Sequence, residues 1–174
     1  MKNIKIAMPS LKDAKLRRNI NIPIERYKLE DKYNNIGLGK TYYVFTYGCQ
    51  GNEADSEVMS GILEGLGFVK SLDPMNSDLV LLNTCAIREK AQEKIFNQLF
   101  SWKAQNQYKE NAVVCVGGCV ASQEGKNVIT RAPMVSVVFG PQTIHRVPDM
   151  INKYLETGEK QVDVSFPSVE KFDF

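Results

Sequence analysis

Histidine occurs once in these 174 residues, tryptophan once and cysteine four times, and these scarcities already narrow the chemistry. A cysteine hydrolase would have only His145 for its base, and in GPQTIHRVP that residue reads as a partly exposed position at the start of a helix. Four cysteines are too few for a disulfide scaffold of this length, and a reducing cytoplasm leaves them as thiols or places them on a metal. Paired C-x-x-C knuckles are absent, which sets zinc aside. No apolar run approaches the roughly 20 residues of a membrane span, and MKNIKIAMPSLKDAKLRRN carries positive charge with no continuous apolar block behind it. A cytoplasmic protein without membrane contact is therefore expected.

What is present is a globular composition, 43% hydrophobic and 24% charged, enough for one domain of ordinary size. The net charge of +2 conceals an asymmetry: residues 1–40 hold ten Lys or Arg against four acids, and the rest of the chain is mildly acidic. A basic arm steers toward nucleic acid through phosphate contacts, or it is a solvated extension, and both readings stand. Residues 1–40 are read as a flexible extension, with a short helix near residues 24–32, because no period is sustained and Pro9, Pro23 and NNIGLG have linker character.

From Thr41 the pattern changes. TYYVFTY reads as a strand, and the helix after it is expected to begin behind Asn52 and to bury Ala54, Val58, Ile62 and Leu66. DLVLL is a short apolar strand followed by a helix with Ala91, Ile95, Leu99 and Trp102 on its buried face. AVVCV, a turn at Gly117-Gly118, a helix around residues 123–131, the strand VSVVF and a last helix over residues 144–157 complete the alternation. Further strands are possible at residues 68–72 or 161–164. Strands that lack polar alternation and alternate with helices predict a doubly wound α/β domain, an open parallel sheet of four to five strands with helices on both faces. Residues 41–158 form that domain, and 159–174 read as a linker.

Cys49, Cys85 and Cys119 each follow one of these apolar runs, in TYGCQGN, LLNTCAIRE and VGGCVAS. Loops after the strands of such a sheet open onto the crevice where ligands bind. Each cysteine also stands at or just before a helix start, where unpaired backbone N–H groups favour a negatively charged sulfur. Three thiolates on one edge can hold three irons of a 4Fe-4S cluster and leave the fourth open. Cys115, inside AVVCV, belongs to the core. Asn52, Glu53, Asp55, Asn83, Thr84, Arg88 and Glu89 surround the cysteines, and their simplest role is capping: Asn52 with Asp55, and Thr84 with the following turn. Hydrogen bonds to cluster sulfurs or substrate are compatible with that.

TYGCQGNEADSE, LLNTCAIREKAQEKIFNQL, VGGCVASQEG and APMVSVVFGPQTIHRVP resemble, in order and spacing, the N-terminal domain of the radical S-adenosylmethionine methylthiotransferases. The likeness covers about residues 41–157, and its wording is closest to the branch that modifies isopentenyladenosine beside the anticodon of tRNA. Gly51 departs from the methionine common in that family. The resemblance implies that Cys49, Cys85 and Cys119 bind an auxiliary 4Fe-4S cluster whose open iron carries the sulfur. It also implies a second 4Fe-4S cluster and S-adenosylmethionine in a barrel domain, with tRNA as the partner of a monomeric full-length enzyme. Cys115, Cys119 and Ser122 mimic the C-x3-C-x2-C motif of that barrel with its last cysteine lost, but serine is a poor iron ligand and Cys115 lies inside a strand. The chain is accordingly expected to be inactive alone. The competing expectations are a noncatalytic nucleotide- or partner-binding α/β module, weakened because no G-x-G-x-x-G follows the first strand, and a methylthiotransferase acting on another RNA base or a ribosomal protein.

Overall fold

The computed structural model describes residues 33–48, 50–85, 89–105 and 109–165, except for the side chains of 89–91. The helix expected near residues 24–32, the first cysteine Cys49, Arg88 and the tail from residue 166 lie outside the described residues. Apolar runs without polar alternation become the strands buried along their whole length, β3 (Leu79–Thr84), β4 (Val113–Gly118) and β5 (Val137–Phe139). Beside them lie β1 (Thr41–Tyr47) and β6 (Gln161–Asp163), mostly half-buried, and the exposed edge strand β2 (Val69–Lys70). They form one sheet in the order β2-β1-β3-β4-β5-β6, parallel at every pairing. Both of the strands that were only possible from the sequence are present, so the described residues give six strands where four to five were expected.

Two cores flank the sheet. On one face Tyr42, Leu79, Leu81, Val113, Cys115 and Phe139 meet helix α1 (Gln50–Gly65) and helix α5 (Val147–Thr157). On the other, Val80, Leu82, Val114, Val116 and Val138 meet α2 (Glu89–Ala104), α3 (Cys119–Glu124) and α4 (Asn127–Arg131). Alternate residues of one strand serve opposite cores, which is why LVLL and VVCV carry no polar position. Each fully buried Leu or Val contributes about 1.5–3 kcal/mol relative to exposure.

Four local expectations are corrected. The buried side of α1 is Asn52, Ser56, Met59, Ile62 and Leu63, with Ala54 and Val58 exposed, because two polar residues take part in the packed face through hydrogen bonds. Gly117-Gly118 is the end of β4 and makes no turn. The helix expected over residues 123–131 is two short helices, parted at Gly125, whose N–H closes the first on the Ala121 carbonyl. A 3-10 segment, Pro141–Arg146, precedes α5 and carries the exposed His145. On α2, Ile95, Leu99 and Trp102 are buried as expected, joined by Phe96.

The residues just before β1 pack on the body. Tyr33 is buried and its hydroxyl donates to Asp149 Oδ1 at 3.0 Å, and the Gly37 N–H donates to the Leu66 carbonyl at 2.8 Å.

Candidate metal centre

The chain leaves β1 for β2 on one side and then crosses to β3 on the other, so the strand order reverses at β1 and β3. At such a switch point the flanking helices depart in opposite directions and a crevice opens beyond the strand ends. Tyr47 pairs with Thr84, and Thr84 with Gly118, so the last residues of β1, β3 and β4 stand in one row. The next residue along each strand is Gly48, Cys85 and Cys119.

Cys85 is buried and Cys119 is exposed. The Cys85 N–H donates to the Tyr47 carbonyl at 2.9 Å, fixing the cysteine against the end of β1. A Cβ added to Gly48 would stand 2.8 Å from the Cys85 Cβ and would overlap the Asn52 carboxamide. The backbone that leads into Cys49 therefore runs directly over Cys85. Gly118, at φ +95, lies so close to the Thr84 carbonyl that a Cβ would penetrate it. Strands β3 and β4 thus close tightly where they deliver Cys85 and Cys119. Among the described residues no three of His, Cys, Asp and Glu gather as a metal-holding group; Cys85 and Cys119 each stand one residue beyond the paired Thr84 and Gly118.

Cys115 is fully buried in the middle of β4, and burial pushes its thiol far up from the ordinary value, so it stays protonated and apart from the edge. At the end of β1, burial and then the neighbouring Tyr43 raise the Tyr47 phenol to about 12; its hydroxyl donates to Gln98 Oε1 at 3.2 Å.

Behind the cysteines lies a buried polar cluster that the capping expectation missed. The Asn83 amide donates to the Asn52 carbonyl at 2.7 Å and to Ser56 Oγ at 2.9 Å. Asn52 Nδ2 donates back to Asn83 Oδ1 at 3.4 Å, and Ser56 Oγ and Thr46 Oγ1 share a hydrogen bond of 2.7 Å. Thr84 Oγ1 donates to the Gly117 carbonyl at 2.7 Å, so it ties β3 to β4 and caps no helix. Asn52 lies inside α1, past its first residue, Gln50. The signal was in the sequence: Asn83-Thr84 interrupt an apolar run, and Asn52 and Ser56 share a helix face with Met59 and Leu63.

The model of Uncharacterized protein family UPF0004 matches residues 41–140. The chain is 57% identical over 136 residues to tRNA-2-methylthio-N(6)-dimethylallyladenosine synthase of Francisella philomiragia, covering 78% of this chain and 31% of that relative. The same-named proteins of Francisella tularensis subsp. novicida and Ralstonia pickettii are 54% and 55% identical, over 78% and 77% of this chain and 31% and 30% of their own lengths. The motif resemblance to methylthiotransferases is borne out by these relatives, and the chain spans about a third of their length.

Proposed function

Because this chain belongs to Uncharacterized protein family UPF0004, we propose that it is the auxiliary-cluster part of a tRNA methylthiotransferase, with Cys49, Cys85 and Cys119 as three ligands of one 4Fe-4S cluster. The observation that carries this reading is the placement of Cys85 and Cys119 directly beyond paired residues of adjoining strands, with the backbone before Cys49 against Cys85. The donor set suits the group: soft sulfur donors at neighbouring strand ends, one recessed and one open to solvent.

When bound, such a cluster supplies an iron open to a further ligand, where sulfur can be held. The protein's own part is positional. The Tyr47 carbonyl orients Cys85 through its backbone, the Thr84 hydroxyl locks the β3 and β4 ends together, and Cys119 opens α3 toward solvent. The relatives' names support a tRNA substrate carrying N(6)-dimethylallyladenosine, that is isopentenyladenosine. The radical step, with its second cluster and S-adenosylmethionine, belongs in this reading to the catalytic barrel domain of a full-length, monomeric, cytoplasmic enzyme. Among the described residues no helix is long and apolar enough to cross a membrane.

Anaerobic reconstitution should give about four irons per chain. Cys49→Ala, Cys85→Ala and Cys119→Ala should each lower that value, and Cys115→Ala should leave it unchanged. Equal iron in all four variants would overturn the assignment. For the substrate, the full-length protein should add a methylthio group to isopentenyladenosine in tRNA, read by mass spectrometry of the digested nucleosides.

A further inference from the structure

Asn83 stands two residues before Cys85 and joins β3 to α1 beside Gly118 of β4. Its amide holds the Asn52 carbonyl and Ser56 Oγ on α1, at 2.7 and 2.9 Å. Its Oδ1 accepts from Asn52 Nδ2 at 3.4 Å and lies 2.9 Å from where a Cβ on Gly118 would stand. The Asn52 carboxamide in turn lies against Gly48, and Gly48 against Cys85. The contacts therefore close a ring through the ends of β1 and β3 and the start of α1, with Gly118 of β4 against it. The side chains of Asn52, Ser56 and Asn83 are buried, Asn83 completely. A buried amide with both its donor and its acceptor engaged fixes geometry in a way an apolar side chain of equal volume does not.

We propose that Asn83 is a positioning residue for the sulfur-bearing edge, holding Cys85 and the flanking backbone in ligand geometry before any cluster binds. The inference rests on the cluster reading above but makes a separate claim about the metal-free chain. Replacing the amide by a carboxyl removes the NH2 group, so the Asn52 carbonyl and Ser56 Oγ no longer both receive a hydrogen bond from this position.

The test is anaerobic labelling of the metal-free chain with isotope-coded iodoacetamide, resolved by peptide mass spectrometry. Cys115 serves as an internal gauge of global opening, because it is fully buried. In the wild type Cys119 should react fastest, Cys85 more slowly and Cys115 slowest. Asn83→Asp should speed Cys85 about tenfold, the equivalent of one buried hydrogen bond left unmade, with Cys115 changed less than about twofold. Ser56→Ala, which removes one acceptor, should move Cys85 the same way by less. On reconstitution Asn83→Asp should take up less iron than Leu99→Ala, a core change on the far face of the sheet. If Cys85 and Cys115 accelerate together, or neither changes, the positioning role is overturned. If the wild type takes up no iron, the cluster reading fails, and the labelling still decides the role of Asn83.

Discussion

An alanine at Gly118 would drive its methyl group into the Thr84 carbonyl while forcing a φ of +95 on a residue with a side chain. Strain and overlap together should cost about 3 kcal/mol, read as a fall in the urea midpoint. The same substitution pries apart the β3 and β4 ends, so iron uptake should fall with stability. An alanine variant within about 0.5 kcal/mol of wild type would show that the edge is looser than these contacts indicate. Cys115 illustrates the opposite environment. The sequence placed it in a strand interior, and its burial in the structure agrees, because an apolar run of that length leaves no solvent-facing position once helices cover both sides. The differences between sequence and structure fall on polar residues. Local spacing suggests caps at Asn52 and Thr84, but their partners, Asn83 and Gly117, lie across the fold, 31 and 33 positions away, where spacing along the chain does not reach.

At the level of elements, the N-terminal ends of the strands are fixed by charge while the opposite ends carry the sulfur. Asp78, just before β3, accepts from the Thr41 N–H at 2.9 Å and from Lys109 Nζ at 2.6 Å, joining the entries of β1, β3 and β4. Burial alone pushes the Asp78 carboxyl up, but the bonds from Lys109 and Thr41 outweigh it and hold the group below its ordinary value of 3.8. A carboxyl lowered in the folded state contributes stability that is complete above 3.8 and is lost as pH falls through the lower folded value. Asp78→Asn should therefore flatten the fall in stability on acidification below that pH. Equal slopes in wild type and variant, in urea titrations from neutral to acid, would count against it. Strand and helix order was legible because period and apolar run length are local properties. The break at Gly125 and the 3-10 segment before α5 were not, since both depend on how the chain must turn to meet β5 and β6.

Over the whole molecule, one sheet is shared by two cores, and neither core has a strand of its own. Leu81 belongs to one and Leu82 to the other, both fully buried. Trp102, the single tryptophan, lies in the second core. Leu81→Ala should cost about 2–5 kcal/mol and shift the Trp102 fluorescence transition as much as the far-ultraviolet dichroism, although Leu81 faces away from that indole. Separate midpoints for the two signals would mean that the faces unfold independently.

Because every strand pairing is parallel, each neighbour in the sheet is distant along the chain, and the cysteine positions are spaced 36 and 34 residues apart. In the proposed cluster reading, the first thiol would have to wait during synthesis on the ribosome for β3 and β4 to emerge and dock. Any assembly machinery that inserts iron would then meet a site complete only after β4 is in place. A slip of one residue in the seating of β3 would turn Cys85 to the opposite face and leave nothing to load.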